Sequence, residues 1–484
     1  MTQQVNLGKQ ATGVPGLDTL LDGGLSEFSF NVISGPPGSG KTTLAHQIMF
    51  ALASPQRRAL FFTVLGEPPL KMLRFQQQYT FFDINKVGDC VRYVNLAEDL
   101  RTGDFSGVLE RIRREVEEFA PGMVFVDSFR SVIQTARSGN EGVADLQHFV
   151  QELGNHMTSW QAMTFLIGEY ASAESEVNPI MTVADGMFLL SHDMVNNAVV
   201  RKLRIVKMRG QAHMEGAHTF RMTHAGLHIY PRQLPPLAVD KTGNQDPQRI
   251  TTGVAELDAL FYGGIPQGHA VLVVGPSGSG KTVLGMQFLA EGVRLGETGV
   301  LASFEKGAGR LRNGPLANMV QAGTVAVVEG RALDLSVEEV LDELVCKIAQ
   351  TGAKRVLIDS LSEFGLYLAP EFRHEFRESV FRILTTLARL DVTVMVTMGQ
   401  EDRYTDLRFS QADSSFLVDA IVAMRYVETE GRLAKLISVV KVRGCAHSTE
   451  LRQYQIGDAG LEIGATPMRF DGLLSSHLST PPMA

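Results

Sequence analysis

Short apolar runs alternate with segments of helical period along the chain, and the whole alternation is carried through twice. Phe30–Ser34, Ala59–Val64, Met123–Asp127, Met163–Ile167, Gly186–Leu190 and Val199–Val206 read as strands in the first half. Between them Val108, Ile112, Val116 and Phe119 recur at helical spacing. The second half repeats the order with Ala270–Val274, Val300–Phe304, Val356–Asp359, Val392–Met398, Ala420–Tyr426 and Leu433–Val442, and with a helix through Val340, Leu344 and Ile348. Near-continuous apolar strands separated by helices predict an α/β fold, with mostly parallel twisted sheets flanked by helices. The last runs of each half read as β-hairpins closing one edge of each sheet.

The repetition extends to single residues. Thr12-Gly13-Val14 matches Thr252-Gly253-Val254, Leu17-Asp18 matches Leu257-Asp258, and Gly23-Gly24 matches Gly263-Gly264. Leu44 and Gln47 match Leu284 and Gln287 at the same offset. This is a duplicated domain. Proline and polar crowding over Pro231–Pro236 and Asp240–Gln248 read as a linker. The expected division is a first domain over 1–235, a linker over 236–248, a second domain over 249–464 and a tail over 465–484.

Each copy places one loop between a strand and a helix. Gly35-Pro36-Pro37-Gly38-Ser39-Gly40-Lys41-Thr42-Thr43 and Gly275-Pro276-Ser277-Gly278-Ser279-Gly280-Lys281-Thr282-Val283 both match the phosphate-binding loop G-x-x-x-x-G-K-[ST]. Glycines let successive N–H groups turn toward phosphate oxygens, and the following helix adds its N-terminal dipole. Lys41 and Lys281 supply charge near the β and γ phosphates, and Thr42 and Thr282 a hydroxyl for Mg²⁺. ATP and Mg²⁺ are the expected ligands. Apolar strands ending at Asp127-Ser128 and Asp359-Ser360 supply the second metal-facing carboxylate. A carboxylate that orients or deprotonates the attacking nucleophile is also needed. Glu305 directly follows its strand and serves as base and possible metal ligand; Glu67, in Leu65-Gly66-Glu67-Pro68, reads equally as a base or a loop acid.

Composition narrows the setting. The chain has 484 residues and a formal net charge of −8, which argues against a protein whose main task is gripping nucleic acid. Arg111, Arg113 and Arg114 are interleaved with Glu110, Glu115, Glu117 and Glu118, as on a solvated helix face. Three cysteines lie far apart, Cys90, Cys346 and Cys445, and fit a reducing compartment. The N-terminus has no signal-peptide pattern, and no stretch has the length of a membrane helix. A cytoplasmic protein without membrane partners is expected.

The chain resembles the KaiC family, the tandem RecA-like P-loop ATPases that include the circadian-clock protein of cyanobacteria. The resemblance covers nearly all of both halves. It rests on Thr12-Gly13-Val14-x-x-Leu17-Asp18, the two loops, the two Asp-Ser strand ends and a motif K-x-R-G-x-x-H near the end of each half. That motif is Lys207-Met208-Arg209-Gly210-Gln211-Ala212-His213 and Lys441-Val442-Arg443-Gly444-Cys445-Ala446-His447. RadA-like repair ATPases and replicative helicases share only the core; a DNA-linked motor of that kind and a nucleotide-gated scaffold are the alternative functions.

The resemblance implies a homo-hexamer with ATP between neighbouring subunits. It implies that Lys207, Arg209 and His213, and Lys441, Arg443 and His447, reach the nucleotide of the next subunit. It implies serine/threonine autokinase capacity in the second half, where Ser415 stands at one acceptor position, Phe416 at the other, and Ser414 is a neighbour. The clock pattern has a Glu-Glu pair where this chain has Leu65-Gly66, so turnover in the first half rests on Glu67. Phe470-Asp471-Gly472-Leu473-Leu474-Ser475 resembles the family's C-terminal segment, which regulatory or signalling proteins capture. The expected role is a signalling or timing switch.

Overall fold

The computed structural model describes residues 8–63, 69–97, 99, 105–127, 152–153, 156, 161–169, 183–195, 198–232, 248–304, 315–330, 335–368, 372, 376–399, 417–429 and 432–467. Glu67, Glu305, Ser414 and Ser415 lie outside the described residues. The chain divides into two compact units, Met1–Arg232 and Gln233–Ala484.

In the first unit a short ladder joins β1 (Lys9–Gln10) to β2 (Leu25–Ser26). The main sheet contains β3 (Phe30–Ser34), β4 (Ala59–Thr63), β5 (Val91–Asn95), β6 (Met123–Asp127), β7 (Met163–Gly168), β8 (Gly186–Val195), β9 (Ala198–Met208), β10 (Ala217–Thr223) and β11 (Gly226–Tyr230). Its spatial order is β5-β4-β6-β7-β3-β8-β9-β10-β11. The run from β5 to β8 is parallel, and β9, β10 and β11 extend it antiparallel. Alternate residues of one strand enter opposite cores. In β4, Phe61 faces one core while Leu60 and Phe62 face the other. Covering both faces is what the unbroken apolar strands required.

The second unit repeats this arrangement. A ladder joins β12 (Arg249–Ile250) to β13 (Ile265–Pro266). The sheet contains β14 (Ala270–Gly275), β15 (Gly299–Ser303), β16 (Val325–Glu329), β17 (Arg355–Asp359), β18 (Thr393–Gly399), β19 (Ala420–Thr429), β20 (Arg432–Val442), β21 (Arg452–Gly457) and β22 (Gly460–Pro467). Its order, β16-β15-β17-β18-β14-β19-β20-β21-β22, matches the first sheet strand for strand. Both units are thus RecA-like P-loop folds in tandem. The last strand runs to Pro467, a little past the expected boundary at 464.

The residues that matched in sequence do matching work. Asp18 accepts from Thr12 N–H at 2.7 Å, and Asp258 accepts from Thr252 N–H at 2.8 Å. Gln47 on the helix after the first loop accepts from Leu227 N–H at 2.7 Å, and Gln287 accepts from Leu461 N–H at 2.9 Å. Each helix is thereby tied to the last strand of its own sheet. Helix Phe105–Phe119 buries Val108, Ile112, Val116 and Phe119. Its outer face carries Arg113 paired with Glu110 and Glu117, and Arg111 with Glu115. Helix Val337–Thr351 begins at a capping box of Ser336 and Glu339.

Candidate functional site

Each phosphate loop closes the C-terminal end of the central parallel strand. The helices Lys41–Leu52 and Lys281–Arg294 start at the motif lysines, and Gly40 and Gly280 stand in the left-handed region at φ 100° and 96°. A side chain is strained there, which is why glycine precedes each lysine. The Lys41 ammonium donates to Pro36 O at 2.9 Å. Lys281 donates to Gly275 O and Pro276 O, both at 2.9 Å. Each lysine therefore spans its own loop. Ser39 and Ser279 are fully buried, and their hydroxyl oxygens have no hydrogen-bond partner among the described residues. Buried hydroxyls in a glycine-rich cradle under a lysine fit the phosphates of a nucleotide.

The strand-end acids separate the two sites. Thr42 Oγ1 donates to Asp127 Oδ2 at 2.6 Å, so the loop hydroxyl and the acid already meet at one point. One carboxylate and one hydroxyl suit Mg²⁺, which takes most of its remaining ligands from phosphate and water. No cluster of three or more His, Cys, Asp or Glu suited to a metal occurs among the described residues. In the second unit Asp359 is buried and accepts from Thr397 Oγ1 on β18. The residue opposite Asp127 across β6 and β7 is Ile167, which has no hydroxyl. Thr397 was missed in the sequence because it sits within an apolar strand. Phe304, the residue before Glu305, donates its N–H to Asp359 O at 2.9 Å, which brings the chain past the acid.

Lys207 and Arg209 stand elsewhere. Asp185, just before β8, accepts from Phe30 N–H at 3.0 Å through its carboxylate. Its carbonyl accepts from Arg209 N–H at 2.8 Å, and its other carboxylate oxygen lies 3.4 Å from the Arg209 guanidinium. Asp419 does the same in the second unit, holding Ala270 N–H at 3.0 Å, Arg443 N–H at 2.7 Å and the Arg443 guanidinium at 3.5 Å. Both guanidiniums are more than half exposed. Phe30 and Ala270 begin the strands that end at the loops, so each motif arginine sits a full strand away, roughly 15 Å, from the loop of its own unit, while the ladder sets Lys207 and Lys441 level with Val32 and Leu272 at mid-strand.

The same local device sets both pairs. A β-bulge falls between Met187 and Phe188 against β9, and between Ile421 and Val422 against β20. It leaves Val206 and Val440 unpaired and exposed immediately before Lys207 and Lys441. Burial, then the neighbouring arginine, lowers the proton affinity of each lysine, and the neighbouring aspartate partly restores it. Gly210 and Gly444 turn the chain at φ 74° and 72°. The segments carrying His213 and His447 then dock, with Met214 N–H on Leu20 O at 2.8 Å and Ser448 N–H on Leu260 O at 2.9 Å. His447 Nε2 is buried without a partner among the described residues.

The family model described as "ATPase: KaiC" matches residues 10–234 and again 250–467. The circadian clock oscillator protein KaiC of a Picosynechococcus species is 25% identical over 482 residues, covering 96% of this chain and 92% of that protein. That of Rippkaea orientalis is 25% identical over 483 residues, covering 96% and 91%. Circadian clock oscillator protein KaiC 1 of a Synechocystis species is 26% identical over 483 residues, with the same coverage of 96% and 91%. With two copies of the family's domain spanning most of its length, the chain belongs to the KaiC family of ATPases.

Proposed function

We propose that this chain is a Mg-ATP-dependent ring ATPase that acts as a signalling or timing switch, with nucleotide shared between neighbouring subunits and an autokinase reaction in the second unit. The observation that carries this reading is the separation of each K-x-R pair from its own phosphate loop. Arg209 and Arg443 are fixed by aspartates yet exposed, at the opposite end of the strand that leads into the loop of their own unit. A cation so placed serves a phosphate held by another subunit. Charge supplied in trans stabilises the transferring phosphoryl group and makes turnover depend on assembly. A hexamer with Lys207, Arg209, His213, Lys441, Arg443 and His447 facing the next subunit's ATP follows. A soluble cytoplasmic setting is part of the same reading; among the described residues no helix is long and apolar enough to cross a membrane.

For the autokinase step, Ser415 Oγ attacks the γ-phosphorus in line. The new O–P bond forms as the bond from the γ-phosphorus to the bridging oxygen of ADP breaks. Glu305 accepts the serine proton, and ADP leaves. Ser414 is the neighbouring acceptor. Incubation with γ-labelled ATP tests this: the wild-type chain incorporates label, while Ser415→Ala and Glu305→Gln each lose most of it. A wild-type chain that stays unlabelled while hydrolysing ATP removes the kinase part of the proposal.

A further inference from the structure

The second phosphate loop is gripped from behind by two phenols that the first lacks. Tyr426 on β19, Lys435 on β20 and Tyr454 on β21 stand in one cross-strand row, paired Tyr426 to Lys435 and Lys435 to Tyr454. Side chains in such a row share one face of the sheet. Tyr454 is buried, and its hydroxyl donates to Ser279 O at 2.6 Å. The Tyr426 hydroxyl donates to Ser277 O at 3.4 Å and lies 3.1 Å from where a Cβ on Gly278 would stand. Two alternate carbonyls of the loop, those of Ser277 and Ser279, are thus met by hydroxyls.

The first unit offers neither. The residue of β10 paired to Ile229 is Phe220, as Tyr454 is paired to Ile463. Phe220 is equally buried and has no hydroxyl. On β8 the row begins with His192, paired to Arg201, and nothing stands within 4 Å of a Cβ on Gly38.

A phosphate loop works by turning successive N–H groups inward, which turns the carbonyls outward. An outward carbonyl covered by a strand has no water to bond and needs a donor. Burial, with Tyr426 adding to it, pushes ionisation of the Tyr454 phenol to higher pH, so it remains a donor. We infer that Tyr454, supported by Tyr426, is a positioning residue for the second nucleotide site: its phenol holds the Ser279 carbonyl and so fixes the Ser279–Gly280 peptide with the Gly280 N–H turned to the phosphate side before ligand arrives, as Tyr426 does for the Ser277–Gly278 peptide. This rests on the reading of Gly275–Val283 as a nucleotide loop. It makes the second site the preordered one and ties its affinity to the terminal antiparallel strands.

The test uses the full chain carrying Lys41→Ala, so that only the second loop binds. Equilibrium titration with a fluorescent ATP analogue and Mg²⁺ gives Kd, and steady-state turnover gives KM and kcat. Tyr454→Phe, which keeps the ring, is expected to raise Kd and KM about tenfold while kcat stays within about twofold. In a Lys281→Ala chain, where only the first loop binds, the same substitution leaves Kd unchanged. Unchanged second-site Kd and KM overturn the inference, even if the unfolding midpoint without nucleotide falls. Equal weakening of both sites overturns it as well, because the phenol is then a general structural group. If the Lys41→Ala parent itself binds no ATP, the nucleotide-loop reading fails and the inference with it.

Discussion

His46 and Met286 occupy corresponding places on the two helices that follow the phosphate loops. His46 is fully buried, one turn beyond Thr42, and its Nδ1 lies 2.7 Å from Thr42 O. Since a carbonyl only accepts, Nδ1 carries the proton and donates. The other nitrogen, Nε2, has no partner among the described residues, and the ring packs 4.4 Å from Phe61 and 6.0 Å from Tyr93. Burial pulls the imidazole from its ordinary 6.5 down to about 4, with the Thr42 bond opposing weakly. The folded state therefore refuses a proton that the unfolded chain accepts. Stability from neutral His46 is complete above pH 6.5 and is lost progressively as pH falls to about 4. The total is on the order of 3 kcal/mol. His46→Met, which copies the second unit, flattens the fall in melting temperature between about pH 7 and about pH 4.5. Parallel pH profiles for the two chains would rule this out. Residues of the loops were legible in sequence because their chemistry is local: a glycine, a lysine and a threonine act within one turn. Thr397 and Tyr454 were not, because each acts on a group brought to it by another strand. Alternation along a strand tells which face a side chain takes and says nothing about the carbonyl or carboxylate waiting there.

Among elements, helices with one apolar face and strands buried on both faces were readable, because burial writes a period into the sequence. The edge strands β5 and β16 were not. Val91-Arg92-Tyr93-Val94-Asn95 and Val325-Ala326-Val327-Val328-Glu329 each pair with one neighbour and are only partly buried, so their pattern is short and mixed. The bulges before Lys207 and Lys441 were equally silent, since an extra residue in one strand shows only against its partner. Helix contacts add a cost that the apolar pattern hides. Arg382 on helix Phe376–Arg389 donates to Glu338 on helix Val337–Thr351 at 2.6 Å, and both side chains are over nine-tenths buried. Removing one partner leaves a buried charge uncompensated. Arg382→Ala is expected to destabilise the second unit by about 3–5 kcal/mol, whereas replacing both with apolar residues of similar size costs far less. Chemical denaturation of the single and double variants decides it; a single variant as stable as the parent would show that the pair is solvated in solution.

At the scale of the whole molecule, one domain has been used twice, and the proposed ring splits its nucleotide contacts in two. The loop of each unit lies at the end of β3 or β14, and the motif arginine is held by an aspartate at the start of that strand. In the proposed ring, assembly is the step that brings a loop and a cation together. This gives a genetic test that separates a trans cation from one that merely supports the fold. Lys281→Ala removes the loop half of the second site, and Arg443→Ala removes the cationic half; each homogeneous assembly loses second-site turnover by a large factor, on the order of a thousandfold for the arginine. When the two variants are mixed in equal amounts and reassembled from monomers with Mg-ATP, random neighbours place an intact loop against an intact arginine at about one interface in four. Second-site turnover, read in a chain whose first site is silenced by Lys41→Ala, should then recover to about a quarter of the parent value. A cation acting within its own subunit predicts no recovery, because every mixed subunit still lacks one of its two parts. The mass in solution must rise on addition of Mg-ATP in the same samples, since a chain that stays monomeric under saturating nucleotide has no neighbour to supply the arginine. Recovery near a quarter together with that rise in mass would assign Arg443 to the neighbouring subunit's ATP, and the matching Asp185 anchor makes Arg209 the residue to test next in the first unit.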